Sequence, residues 1–111
     1  MNHFLLPSSV GARERSTRYG DVAMVSLLGK ITERAISTRR DLGAMLFGGA
    51  KVLAGVSDLM HLGERNVDFA RQWLRDARIP IVEEDVLGMQ ARRLEFRLSD
   101  GTANVRRLGV R

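Results

Sequence analysis

Two segments with helical spacing of apolar residues alternate with short apolar runs, and this alternation most constrains the fold. In the first segment apolar residues recur at intervals of three and four from Met24 through Leu28 to Ala35, which places them on one helix face. Asp21 precedes them as an N-cap or first-turn acid. Gly29 weakens such a helix by about 1 kcal/mol relative to alanine. We therefore expect close packing against a neighbour at Gly29.

The second helical segment follows Asn66, which is a favourable N-cap residue. Val67, Ala70 and Ala77 form its apolar face together with Trp73 or Leu74, while charged residues occupy the opposite face. This helix is predicted to stop before Pro80.

Short apolar or alternating runs predict the strands. A proline ends the first run at Pro7, and Gly48 and Gly49 end the second. Near the carboxyl end, alternating residues lead into Asp100-Gly101, a pair that favours the positive φ angles of a hairpin turn. The predicted strands are residues 3–7, 42–47, 79–82 and 93–98, with a turn at 99–102 and a last strand through Val105.

The order strand, helix, strand, helix and three further strands predicts the α/β (α+β) class, a mixed sheet with amphipathic helices packed on it. A chain of 111 residues is the size of one small domain, and no linker, repeat or low-complexity tract divides it. We therefore expect a single domain over residues 1–111.

Composition excludes several function classes. The net charge is +5, but arginines are spread along the chain with acids between most of them and without interleaved aromatic residues, so we predict no nucleic-acid binding. With no cysteine and two histidines, we predict no metal site. The apolar runs are too short to span a bilayer and no signal segment is visible, so the expected location is cytoplasmic, without membrane insertion.

Several motifs in order along the chain resemble the CheD family of chemoreceptor glutamine deamidases. The resemblance starts from Phe47-Gly48-Gly49-Ala50 followed by Gly63-Glu64-Arg65-Asn66, and several motifs in register make it specific. The resemblance covers nearly the whole chain. Its motifs are His3-x-x-Leu6-Pro7, Arg18-Tyr19-x-Asp21-x-Ala23-Met24, Phe47-Gly48-Gly49-Ala50, Leu62-Gly63-x-x-Asn66, Ile81 with Asp85 and Gly88, and Arg92-Arg93.

The resemblance implies a cysteine hydrolase that converts glutamine side chains of bacterial chemoreceptors to glutamates without a metal or organic cofactor. In such chemistry a thiolate attacks the amide carbon, ammonia leaves, and water cleaves the thioester. An imidazole accepts the thiol proton and later protonates the departing nitrogen. The histidine of the family's His-x-x-Leu-Pro motif matches His3, which the resemblance makes the catalytic base.

The main departure from the family is the nucleophile. The family's Gly-Ser-Cys segment, and a threonine that helps orient the histidine, lie upstream of the His-x-x-Leu-Pro motif, and the 111 residues contain no cysteine. We therefore expect a CheD-like domain that is incomplete at its N-terminus, through a misplaced start codon or a truncated gene, and that is inactive by itself. A smaller departure is the turn at residues 87–91, which keeps Gly88 but lacks the family's other small residues.

Two interpretations are open for Phe47, Gly48 and Gly49. Glycines let the main chain come close to a ligand, which makes this loop a candidate substrate-binding site. A tight exit from a buried strand explains the same residues equally well. Arg92 and Arg93 are likewise open between steering an acidic receptor surface and guarding a strand edge.

The functional prediction is thus a chemoreceptor glutamine deamidase, with the cytoplasmic helices of a chemoreceptor as substrate and a chemotaxis phosphatase as a second candidate partner. The alternative is a non-catalytic binding module that contacts the receptor or a phosphatase through the remaining surface. His61 matches no motif and is interpreted as an ordinary loop histidine.

Overall fold

The computed structural model describes residues 1–34, 42–51 and 61–109. In these ranges the chain forms two helices and four strands, which confirms the α/β class. The β1–β2 pair is parallel and the β3–β4 pair is antiparallel, so parallel and antiparallel pairing occur in separate two-stranded sheets. The elements in chain order are α1 (Gly20–Arg34), β1 (Ala44–Gly48), α2 (Leu62–Asp76), β2 (Ile81–Val86), β3 (Arg92–Arg97) and β4 (Thr102–Arg107).

The N-terminal segment is not the predicted strand. Among the described residues it forms one parallel bridge, between Leu6 and Tyr19, and its carbonyl groups then serve the start of α1. Gly20 N donates to Leu6 O at 2.7 Å and Asp21 N to Pro7 O at 3.0 Å. These bonds satisfy amides that a helix leaves unpaired at its N-terminus. The segment is therefore extended, but it caps a helix instead of joining a sheet.

Helix α1 begins close to its predicted start, with Asp21 in its first turn as expected. The Asp21 carboxylate accepts hydrogen bonds from the Ser9 amide at 3.0 Å and from the Ser9 hydroxyl at 2.7 Å. The backbone hydrogen bond from Ser9 is the main reason why the pKa of Asp21 is lowered. The expectation for Gly29 was wrong. Gly29 is exposed, and a Cβ built there meets no described atom within 4 Å.

Helix α2 begins earlier than predicted. It starts at Leu62 after His61, and His61 makes no side-chain capping bond. The predicted N-cap role of Asn66 is therefore wrong, since Asn66 lies in the fifth position of the helix. The interval 52–60 is outside the described residues, as are residues 35–41, where the end of the first helix was predicted.

The C-terminal end of α2 has the geometry of a Schellman motif. Arg78 N donates to Arg75 O at 3.1 Å and Ile79 N donates to Leu74 O at 2.9 Å, with Arg78 at φ +59°. Leu74 and Ile79 are both buried and pack together with Met24 of α1. The cap thus turns the chain and at the same time delivers Ile79 into the core, directly before β2.

The core lies between the two helices and the β1–β2 sheet. Met24, Leu74 and Ile79 are its buried centre, and Trp73 packs against them as part of the core. Further half-buried side chains surround this centre: Phe4, Leu28, Leu42, Ala44, Leu46, Phe69, Ala77 and Ile81. The observed strands overlap the predicted ones, with bounds shifted by one to four residues.

The hairpin of β3 and β4 confirms the turn prediction. Arg97 pairs with Thr102, and Gly101 has φ +71°. Asp100 accepts hydrogen bonds from the Thr102 amide at 3.0 Å and from its hydroxyl at 2.7 Å. These local bonds fix the register, which places Leu94 and Val105 opposite each other on the half-buried face.

Candidate active site

The carboxyl ends of the parallel strands β1 and β2 carry two loops with unusual main-chain angles. Gly48 is the last residue of β1 at φ +111° and Gly49 follows at φ +71°, while Leu87 and Gly88 follow β2 at φ +65° and +73°. The loops are joined by main-chain bonds from Leu87 N to Gly48 O at 2.7 Å and from Lys51 N to Gly88 O at 2.8 Å. We call residues 48–51 and 87–90 the paired loops. Ligands of α/β proteins commonly bind at this end of the strands.

Arg92 donates hydrogen bonds to the main chain of both paired loops. Its guanidinium donates to Leu87 O at 2.8 Å, to Gly48 O at 3.3 Å and to Gln90 O at 3.4 Å, and to the Asp85 carboxylate at 3.1 Å. The Arg92 side chain is only 5% exposed. Arg92 is thus an internal main-chain clamp, so it neither steers a receptor surface nor guards an exposed edge, whereas Arg93 is exposed.

Asp85 connects the clamp to the hairpin. Its Oδ1 accepts from Arg107 at 2.8 Å as well as from Arg92. The hydrogen bonds from Arg107 and Arg92 lower the pKa of Asp85, because they favour its ionised form. The two ion pairs of Asp85 therefore link β2, β3 and β4 at the edge that carries the paired loops.

Gly49 is in close main-chain contact with the first turn of α2. A Cβ on Gly49 would lie 2.5 Å from Val67 Cγ2 and 3.0 Å from Gly63 O. A Cβ on Gly63 would overlap the carbonyl group of Gly49. Gly49 and Gly63, one from each glycine motif, thus need to be glycines because their main chains pack against each other. Gly48 differs, since its Cβ position is open among the described residues.

The His3 segment is anchored on both sides of the histidine. Asn2 Nδ2 donates to Ala23 O at 3.2 Å, and the Phe4 ring meets Phe69 of α2 edge to face with 5.8 Å between centroids. Next along the chain, Leu5 O accepts from Asn66 Nδ2 at 2.9 Å. His3 itself is exposed, between the half-buried Asn2 and Phe4. Its imidazole is therefore accessible on a segment whose main chain is held in place.

One helix end brings the two predicted site segments to a common support. Gly63 and Asn66 lie three residues apart, on the same face of α2. Gly63 contacts the loop after β1, and Asn66 binds the His3 segment through Leu5. One turn of α2 thus contacts both the segment that carries His3 and the loop after β1. His61, directly before this helix, is exposed and lies 3.6 Å from Glu64.

Other features of the described residues lie apart from this arrangement. An open groove of about 590 Å³ runs between α2 and β2, lined in part by Arg71, Ile79, Val82 and Glu84. Neither His3 nor the paired loops line it. Within the ranges that the structure describes, no group of side chains is arranged to hold a metal ion, and neither helix is long and apolar enough to cross a membrane.

Fold and site together define an α/β protein with a histidine-bearing segment and a glycine loop supported by one helix turn. The family model for CheD chemotactic sensory transduction matches residues 5–107, so the chain belongs to the CheD family. A probable chemoreceptor glutamine deamidase CheD of Anaeromyxobacter dehalogenans is 44% identical over 108 residues, covering 97% of this chain and 62% of the relative.

Two further relatives carry the same description. The protein of a Ruegeria species is 44% identical over 103 residues, covering 93% of this chain and 53% of its own length. That of Caulobacter vibrioides is 42% identical over 112 aligned residues, covering 99% of this chain and 58% of its own length. The chain thus spans between 53% and 62% of these relatives.

Sequence reasoning missed the roles of Arg92 and Asn66. Both were recognised as motif residues, but Arg92 was considered only as a surface charge and Asn66 as a helix cap. The available signal was the combination of each with a glycine motif, because polar side chains beside glycine-containing turns can hydrogen-bond the main chain.

Proposed function

We propose that this chain carries the base and the substrate loop of a chemoreceptor glutamine deamidase. The observation that supports this most strongly is the common anchoring of the His3 segment and the loop after β1 on Gly63 and Asn66 of α2. The descriptions of the relatives supply the reaction class, hydrolysis of a glutamine side-chain amide.

In the proposed reaction His3 accepts the proton of a cysteine thiol, and the thiolate attacks the carbon of the substrate amide. His3 then protonates the departing nitrogen, ammonia leaves, and a water molecule hydrolyses the thioester to glutamate. The 111 residues contain no cysteine, and in this proposal a Gly-Ser-Cys segment of the family type supplies the thiol. No cofactor enters these steps.

Phe47, Gly48 and Gly49 are proposed to contact the substrate. Gly48 is the best placed of the three, because its Cα side is open while its carbonyl is held by Leu87 and Arg92. The proposed substrate is a glutamine on the cytoplasmic helices of a chemoreceptor, which places the reaction in the cytoplasm. A chemotaxis phosphatase is proposed as a second partner.

The test compares the chain alone with a fusion in which the Gly-Ser-Cys segment of a family member precedes Met1. Each protein is incubated with a chemoreceptor fragment, and ammonia release and the mass gain of about one dalton per converted glutamine are measured. We expect conversion by the fusion, none by the chain alone, and none by the fusion with His3→Ala. A folded but inactive fusion, or full activity after His3→Ala, contradicts the proposal.

The descriptions of the relatives as deamidases support the enzyme over the alternative, a binding module without catalysis. The alternative predicts that the chain alone binds the receptor fragment and that the fusion binds it equally but converts no glutamine. Isothermal titration calorimetry with both proteins separates the two candidates.

A further inference from the structure

The His3 segment is held between the residues before α1 and the side chains of α2. Leu5 N and Leu6 N both donate to Arg18 O, at 2.8 and 3.1 Å, so their main chain is held on the side of α1. On the side of α2, Asn66 Nδ2 donates a hydrogen bond to Leu5 O, 2.9 Å long. Leu5 lies two residues after His3 in the sequence.

The orientation of the Asn66 amide is defined by its surroundings. Its nitrogen faces Leu5 O, while its oxygen is buried and finds no hydrogen-bond donor among the described residues. A buried carbonyl oxygen without a donor is unfavourable and uncommon in proteins. Asn66 is also unnecessary as a helix cap, since α2 begins four residues earlier. The bond to Leu5 is therefore what this amide contributes.

The neighbours of Asn66 make this contact part of a continuous support. Phe69 lies three residues further along the same face of α2, and it packs against Phe4. Gly63 lies three residues before Asn66 and contacts Gly49. On both sides of Asn66, the helix is thus packed against other parts of the chain.

We propose that Asn66 is the positioning residue of the catalytic base, fixing the main chain beside His3 through the hydrogen bond to Leu5 O. The inference rests on the proposed function only in naming His3 the base. Asn66 touches neither substrate nor the reacting atoms. Its effect is to hold the imidazole at a constant distance from the loop after β1, which has the same helix end as its support.

The experiment uses the chain itself, without a substrate. Amide hydrogen exchange is measured by NMR for wild type, Asn66→Ala, Asn66→Asp and the control Asn104→Ala, whose exposed side chain lies on β4. In Asn66→Ala we expect the Leu5 and Leu6 amides to exchange about fivefold faster, the effect of losing one net hydrogen bond. Asn66→Asp keeps the size but, when ionised, cannot donate, so the increase should be at least as large.

The side chain of His3 provides the second measurement. Relaxation of its imidazole resonances should report greater mobility in both Asn66 variants and none in Asn104→Ala. A purely structural role of Asn66 would raise exchange equally in the amides of α1 and α2. An equal rise of that kind, or rates for Leu5 and Leu6 within twofold of wild type in both Asn66 variants, overturns the inference.

The result of the hydrogen-exchange experiment does not depend on deamidase activity, which is measured separately. In the Gly-Ser-Cys fusion, Asn66→Ala should lower kcat at least threefold and leave KM for the receptor fragment within twofold, because the base and not the substrate contact is disturbed. If the fusion is inactive while the exchange result holds, the proposed function fails and the positioning role stands. If the fusion is active and the exchange rates are unchanged, the positioning role fails alone.

Discussion

Replacement of Gly63 by alanine tests whether the contact between the two glycine motifs is as close as the structure shows. A Cβ on Gly63 overlaps the carbonyl carbon and oxygen of Gly49, so main chain and not a rotatable side chain has to move. Inserting a methyl group into such packing typically costs 1–3 kcal/mol, and a main-chain contact belongs in the upper part of that range. Against this, alanine in a helix gains up to about 1 kcal/mol over glycine. The expected net loss in free energy of unfolding is about 2 kcal/mol.

Gly29→Ala is the matched control, because it is the same substitution in the other helix. Gly29 is exposed and its Cβ meets no described atom, so only the helix preference remains. We expect a gain of about 1 kcal/mol. Urea unfolding followed by circular dichroism should therefore separate the two midpoints by more than about 1 M, at a slope of 1–3 kcal/mol per molar urea. A Gly63→Ala midpoint equal to or above that of wild type refutes the packing argument.

Three further predictions concern side chains at the ends of elements. Arg92→Met should lower the free energy of unfolding by about 3 kcal/mol, because the main-chain carbonyls and the Asp85 carboxylate that it binds lose their donor, whereas Arg107→Met, 59% exposed in wild type, should lower it much less; urea midpoints measure both. The folded-state pKa of Asp85 lies below 3.8, so its ion pairs stabilise the fold above that pH and are lost as the pH falls below it. The melting temperature of Asp85→Asn should therefore fall less steeply than that of wild type between pH 6 and pH 2. Arg78→Gly should raise the midpoint by the equivalent of roughly 1 kcal/mol, since Arg78 has φ +59°; an unchanged or lowered midpoint contradicts the strain.

Local sequence signals were sufficient to predict the features that depend on neighbouring residues. The turn at Asp100-Gly101 and the apolar face of α2 were predicted at the right place, because the first depends on adjacent residues and the second on a repeat of three to four residues. The end of α2 at Asp76 agrees with the expected stop before Pro80. The α/β class follows from the same signals. The family, too, was recognisable from the motifs, and the family model confirms it.

Non-local contacts explain the errors. The N-terminal run has the composition of a strand, but Leu6 and Pro7 give their carbonyl groups to the start of α1 instead. Asn66 has the preference of a helix cap, but the helix begins at Leu62 and leaves its amide free to reach Leu5. Gly29 was expected to be packed and is exposed. For the N-terminal run and for Asn66 the partner lies elsewhere in the chain, and for Gly29 no described atom takes the place of the expected partner. Residue preferences alone do not reveal either situation.

The sequence by itself determined the class of fold, the family motifs and the candidate residues His3, Phe47, Gly48 and Gly49. Only the tertiary structure decided that Arg92 is an internal clamp and that Gly63 and Asn66 support the loop and the histidine segment from one helix end. The physical reason is that hydrogen bonds from a side chain to a distant main chain depend on the relative placement of elements. That placement results from the packing of the whole core.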